Sequence, residues 1–210
     1  MKTMKRSFIS LLIICLLMAG AVPAGAASIP AGFDSWPLQG TTDAKKVWTI
    51  KFSLPLDSNS VNRSNIYVTD DSNRSVSTSL VRSADGTSVQ VKPSSAYTVG
   101  KKYWLFISGG LTAANGKNAL AQPIAAPFLV AEENSKIIQI SASHSPLLTS
   151  FTVLTSADVF SVKINSKNMI YQGNNTYTLG MTGLKTGGTV TVYAYDSKGK
   201  CLKNQKYTIK

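Results

Sequence analysis

The 210-residue chain carries 22 lysines and arginines against 10 aspartates and glutamates, a net charge of +12, with one histidine and two cysteines. So few imidazoles and thiols exclude a zinc site of the usual His and Cys set. The content is rich in Ser, Thr, Val and Gly without long helix-forming runs, which excludes a helical bundle and points to an all-β protein.

The chain opens with a basic stretch, Met1-Lys-Thr-Met-Lys-Arg6, then an apolar run from Phe8 to Met18 broken by Ser10, then Ala24-Gly25-Ala26. That order reads as a cleavable signal peptide over residues 1–26. The apolar run is short of the roughly 20 residues that span a bilayer, so no membrane anchor is expected once the peptide is cleaved. Cys15 lies inside the run with no lipoprotein box directly before it. Loss of Lys2, Lys5 and Arg6 lowers the net charge to +9 and leaves Cys201 as the sole cysteine, so no internal disulfide forms. The fold must then rest on its apolar core.

Residues 27–42 form a lead-in punctuated by Pro30, Gly32, Pro37 and Gly40, with Phe33 and Trp36 as its aromatic side chains. It is either a flexible arm or a segment that lays Phe33 and Trp36 on the first domain. From Lys46 to Leu54 apolar and polar residues alternate, with Trp48, Ile50, Phe52 and Leu54 on one face. Strands are also expected at Asn65–Asp70, Val76–Val81 and Ser88–Val91, with Asp85-Gly86 as a hairpin signal and Pro93 as a stop. Gly100 turns the chain into Tyr103–Ser108, which is apolar on both faces: Tyr103, Leu105 and Ile107 on one, Trp104 and Phe106 on the other. A sandwich strand would ordinarily put polar residues on its outer face, so Trp104 and Phe106 need a cover. The lead-in and the second domain are the two candidates, and left bare the pair would be a contact site. Pro127–Val130 closes the unit.

About seven short strands at this spacing suggest an immunoglobulin-like sandwich. Val47-Trp-Thr-Ile-Lys-Phe-Ser-Leu-Pro-Leu-Asp57, Asn65-Ile-Tyr-Val-Thr-Asp70, Tyr97-Thr-Val-Gly-Lys-Lys-Tyr103, Asn115-Gly-Lys117 and Phe128 together resemble the SbsA-type bacterial Ig-like domain, over about residues 43–131. The resemblance implies a surface or S-layer-related role in adhesion, spacing or presentation, and brings no catalytic residues. In such sandwiches a tyrosine near the start of this strand bonds back to the backbone, and Tyr103 is the candidate.

Ala131-Glu-Glu-Asn-Ser135 is a polar linker, and a second sandwich is expected over residues 136–210. Its strands are read at Ile137–Ile140, Phe151–Thr155, Val159–Ile164, Met169–Tyr171, Thr176–Leu179, Thr189–Tyr195 and Lys206–Ile209, with Ser141–Pro146 as a loop. In Thr189–Tyr195, Val190, Val192 and Ala194 point inward and Thr191, Tyr193 and Tyr195 outward. The fold class is thus all-β, two tandem Ig-like Greek-key sandwiches behind a signal peptide. The place matching Tyr103 falls near Val190, so the second unit lacks that tyrosine and its family stays open.

Catalytic chemistry finds little support. His144, in Ser141-Ala-Ser-His-Ser-Pro146, is the sole base for a triad and reads as an ordinary loop residue. Asp57, Asp70, Asp71 and Asp85 fall in turns, where Asp bonds the backbone. Asp70-Asp71 lacks the dense acidic spacing of a calcium loop. No catalytic, cofactor or metal residues are assigned, and the chain is read as no enzyme. Cys201, beside Lys200 and Lys203, reads as a small apolar residue near the last hairpin.

Charge divides the two units. Residues 28–134 carry +2 and residues 135–210 carry +7. Five lysines, Lys198, Lys200, Lys203, Lys206 and Lys210, gather in the last hairpin. Edge protection is the plain reading of such lysines. The sharper one is contact with a polyanion, and in an exported protein that is an anionic wall polymer or surface glycan rather than nucleic acid. Tyr193 and Tyr195 offer an aromatic contact for sugars or surface proteins. The expectation is a secreted, wall-associated, non-catalytic module for adhesion or spacing, with a carbohydrate-binding module as the alternative. With no LPxTG-type sorting signal or S-layer-homology repeat in the sequence, attachment is expected to be non-covalent or absent.

Overall fold

Residues 29–210 are described by a computed structural model. The expected signal peptide, residues 1–26, lies outside the described residues. Alternating apolar and polar residues give strands throughout, and among the described residues there is no helix.

The first sandwich contains β1 (Asp34–Ser35), β2 (Gln39–Thr41), β3 (Trp48–Lys51), β4 (Ile66–Asp70), β5 (Ser75–Val76), β6 (Thr78–Arg82), β7 (Ser88–Pro93), β8 (Lys102–Ile107) and β9 (Ile124–Val130). One sheet runs β1-β9-β8-β4-β5, with β2 also on β9; the facing sheet runs β3-β7-β6. The second sandwich contains β10 (Ile137–His144), β11 (Thr149–Thr155), β12 (Ser161–Ile164), β13 (Lys167–Asn168), β14 (Ile170–Gly173), β15 (Thr176–Met181), β16 (Thr189–Tyr195) and β17 (Cys201–Thr208). Its sheets are β10-β11-β15-β14 and β13-β12-β16-β17. Strand β8 lies between β4 and β9, and β16 between β12 and β17. The chain must cross between sheets to make that order, which is the Greek-key arrangement of immunoglobulin-like sandwiches.

The core of the first sandwich gathers Ile66, Val68, Val89, Val91, Leu105 and Phe128. Burying each such side chain contributes about 1.5–3 kcal/mol. Tyr97, Tyr103 and Phe128 pack ring to ring, with centroids 4.8 to 5.4 Å apart. The Thr98 N–H donates to the Tyr103 hydroxyl at 2.8 Å. That is the bond back to the backbone expected of Tyr103. In the Asp85-Gly86 turn, hydrogen bonds from Ser83 and then Thr87 hold the Asp85 carboxyl at about 2.

The lead-in is part of this sandwich. Strands β1 and β2 both pair with β9, parallel, in registers Asp34↔Ile124 and Gln39↔Phe128. Strand β9 begins at Ile124, three residues before the expected Pro127. Trp36 N–H donates to Ala125 O at 2.9 Å, so alternate residues of β9 face the lead-in. The N–H that Pro127 lacks therefore falls where β1 has ended and β2 has not begun, and costs no ladder bond.

The strand expected over Val76–Val81 is split into β5 and β6, in different sheets, and two boundaries of the second sandwich also depart from the sequence reading. Strand β10 runs on to His144, through the expected loop. Ile140 and Ala142 pack on the core while Ser141 and Ser143 face outward, a true alternation hidden by small polar residues. Strand β17 starts at Cys201, because Leu202 and Tyr207 both reach the core from an otherwise polar edge. Between the sandwiches, Gly40 of β2 lies against Ile138 and Leu154. Ile138 is the extra residue of a bulge between the pairs Ile137↔Thr155 and Gln139↔Leu154, which turns it out of the sheet.

Candidate binding face

The outer face of β13-β12-β16-β17 brings together residues from four strands. On β16, Val190, Val192 and Ala194 are fully buried, so Thr191, Tyr193 and Tyr195 point outward as read from the sequence. The Tyr193 and Tyr195 rings stack with centroids 6.5 Å apart and planes 26° apart. Register places Lys163 of β12 and Asn204 of β17 on either side of Tyr193. Asn168 of β13 pairs with Lys163, and Lys206 of β17 pairs with Thr191. Lys163 Nζ sits over the Tyr195 ring at 5.3 Å from its centroid. The result is a half-buried aromatic ladder flanked by ammonium and amide groups, able to stack on a ring and to bond an anionic or hydroxyl oxygen.

The five lysines of the last hairpin are all exposed, but they do not form one point. Lys206 lies on the tyrosine face. Lys203 pairs with Ala194 and so belongs to the opposite side of the edge strand. Lys198 and Lys200 lie at the turn, where the Asp196 carboxylate accepts both backbone N–H groups. Lys210 lies at the far end of the strand, past Ile209, whose N–H donates to Gly188 O. They make a stripe along the strand. Among the described residues, the one ion pair of the second sandwich joins Lys136 to Asp158, so the other lysines remain free. Lys163, Asn168 and Asn204 were missed in the sequence. Only the register of β12 and β17 against β16 places them beside the tyrosines.

Trp104 and Phe106 are not part of any surface. They are 6% and 2% exposed, beneath Ile29, Phe33 and Tyr67. The Phe33 ring meets Phe106 edge-on at 5.4 Å, and Tyr67 stacks on it at 5.0 Å. Trp104 Nε1–H donates to Asp71 at 3.1 Å, with Lys102 Nζ over its ring at 4.5 Å. The candidate contact is thus corrected: the lead-in buries this pair. Of the two aromatic residues expected to do so, Phe33 does, whereas Trp36 stays 50% exposed.

The remaining candidates stay apart. His144 lies at the end of β10, with Nδ1 2.7 Å from the Thr149 hydroxyl. Asp70 pairs with Arg74, and Asp71 with Lys102. Among the described residues no three His, Cys, Asp or Glu side chains gather as metal ligands. Cys201 is an exposed free thiol, not the packed apolar residue expected.

A second concavity, of about 550 Å³, opens between β3 and the lead-in of the first sandwich. Trp36, Trp48, Lys51, Phe128 and, from the second sandwich, Asn174 line it. The sequence reading leaves Trp36 between a flexible arm and a packing role, and puts Trp48 on one face of its strand with Ile50, Phe52 and Leu54.

A crystal structure of the S-layer protein rSbsC(31-844) aligns with 84% of this chain and 25% of its own, at 16% identity and a TM-score of 0.37. Native alpha-2-macroglobulin from Escherichia coli, spanning domains MG0-NIE-MG1, aligns over 80% of this chain and 67% of its own, at 12% identity and 0.37. SGBP-B of the Bacteroides ovatus mixed-linkage glucan utilization locus, in complex with a mixed-linkage heptasaccharide, aligns over 88% and 46%, at 14% and 0.29. This chain spans about a quarter of the S-layer structure. No curated protein matches it. Residues 29–130, the first sandwich together with its lead-in, match the family model of the bacterial Ig-like domain.

Proposed function

We propose that this chain is an exported, non-catalytic Ig-like protein of a bacterial surface, of the SbsA type in its first sandwich. It acts as a spacer or adhesion module that rests on an anionic wall polymer or surface glycan through the outer face of its second sandwich. The observation that carries the reading is the Tyr193–Tyr195 ladder with Lys163 over one ring and Lys206 on the same face. Phenol rings present flat apolar area with a polar tip, suited to sugar rings. Unpaired ammonium groups attract a polyanion over about a Debye length, and salt screens that attraction.

The test is co-sedimentation of the secreted protein with purified cell walls. Binding should fall steeply between 50 mM and 500 mM NaCl. It should fall at least fivefold when Lys198, Lys200, Lys203, Lys206 and Lys210 become Gln. Salt-insensitive binding, or binding unchanged in that variant, rejects the electrostatic contact. The carbohydrate-module reading draws on the same stacked tyrosines. It expects neutral oligosaccharides to bind and Tyr193→Ser with Tyr195→Ser to abolish that binding, with little dependence on salt.

A further inference from the structure

The two sandwiches differ in one strand. In the second, β11, β15 and β14 form a ladder whose outer edge at β11 is covered by β10. In the first, β3, β7 and β6 form the corresponding ladder, and β3 has no strand on its outer edge. The segment that precedes β3 goes to β9 instead, as β1 and β2. The 550 Å³ slot lies along this bare edge. It reaches inward between the sheets to Leu105, Ile107 and Phe128, with Trp36 exposed at its mouth.

The edge is equipped to pair. The Phe52 N–H donates to Thr87 O across the β3–β7 ladder at 2.8 Å. Alternate residues of β3 face β7, so the N–H and C=O of Thr49 and Lys51 face away from it, along the slot. The charge along the slot is positive. Lys51, exposed at one end of β3 on its outward face, is the charged side chain that lines it. It has no ion pair among the described residues.

We propose that this slot takes up an extended segment of a partner protein as an added strand antiparallel to β3. The segment alternates apolar residues, which enter the slot, with acidic residues, which face outward beside Lys51. Strand β10 shows the form such a strand takes in this chain: Ile140 and Ala142 turned to the core, polar residues outward. Backbone bonds supply affinity in such an addition, and the alternating side chains supply choice of partner. The cross-strand pairing of a carboxylate with Lys51 sets the preference for acidic residues. This surface is separate from the tyrosine face and does not depend on it.

The test uses the full mature chain and three capped seven-residue peptides. One alternates valine with glutamate, one alternates valine with lysine, and one is the glutamate peptide with its glutamate nitrogens methylated, since the residues opposite Thr49 and Lys51 are the ones whose N–H groups point at β3. Tryptophan emission reports occupancy through Trp36 and Trp48. The glutamate peptide should bind saturably, at least tenfold tighter than the lysine peptide, and the methylated peptide should not bind. Thr49→Pro removes one edge N–H at a position where an edge strand tolerates proline, and should abolish binding with the far-UV spectrum and melting temperature kept. Lys51→Glu should invert the preference between the two charged peptides. Absence of saturable binding by the glutamate peptide, equal binding of the methylated peptide, or full binding in Thr49→Pro overturns the proposal. So does a neutral oligosaccharide that saturates the slot while the peptides do not, or a self-association of the chain that Thr49→Pro removes.

Discussion

Gly40 of β2 and Ile138 of β10 approach so closely that a Cβ on residue 40 would lie 2.6 Å from Cδ1 of Ile138. The Leu154 Cδ2 would lie 3.1 Å from that Cβ. This contact is where the first sandwich meets the second, and it exists because the bulge at Ile138 turns a large side chain outward onto a residue with none. A Gly40→Val substitution should overpack the junction and cost about 1–3 kcal/mol. Ile138→Ala in the same chain should return part of that loss. Calorimetry of the two single variants and the double variant measures the coupling, and additive losses would show that the two residues do not act on each other.

Phe33 is the cover of a face that would otherwise be bare. Its replacement by alanine removes the edge-on ring from Phe106 and opens Trp104 to water. The loss should be about 2–3 kcal/mol, below a full core deletion because Phe33 is itself only half-buried. Trp104 emission should shift to the red, read most clearly after Trp36 and Trp48 are replaced by Phe. An unshifted spectrum would mean that Tyr67 and Ile29 shield the indole without Phe33.

Tyr97 and Tyr103 pack 4.8 Å apart, yet their hydroxyls have opposite fates. The Tyr103 oxygen accepts the Thr98 N–H, whereas the Tyr97 hydroxyl is buried with no partner among the described residues. Tyr103→Phe should cost about 1–2 kcal/mol by stranding that N–H, while Tyr97→Phe should leave stability unchanged or raise it. Burial, and secondarily Tyr103, pushes the Tyr97 phenol up to about 12. A phenol raised in the fold gives stability that is complete below its unfolded value near 10 and lost as pH rises toward 12. Melting curves from pH 8 to 12 should therefore show a smaller alkaline loss in Tyr97→Phe than in the parent chain, with a remainder from Tyr67 and Tyr177, which burial also raises. Identical curves would remove Tyr97 from the account.

Strict alternation was what the sequence displayed best. Thr189–Tyr195 could be assigned face by face because three small apolar residues alternate with larger polar or amphipathic ones. The two-faced character of Tyr103–Ser108 announced that a cover was needed, and the structure supplies it from the lead-in. Strand β10 escaped because Ser141 and Ser143 look like loop residues until Ile140 and Ala142 are seen to face a core. The candidate binding face was half legible. Its tyrosines follow from alternation within one strand, but Lys163, Asn168 and Asn204 depend on register between strands, including the bulge that shifts β17 against β16, which a single sequence does not display. The bare edge of β3 was invisible for a different reason. It is a strand that does not come, and only the diversion of the lead-in to β9 reveals it.

The parallel pairing of β2 with β9 also fixes how the first sandwich bears a mechanical load. Tension applied across this unit pulls the start of β2 one way and the end of β9 the other, along the line of both strands. In the register Gln39↔Phe128 to Thr41↔Val130, that pull slides the two strands past each other. The bonds between them are then strained together rather than opened one after another. The second sandwich contains only antiparallel pairs among its described strands, so it has no equivalent clasp. A short segment that reads as a loose arm is thereby the part of the chain placed to resist being drawn out.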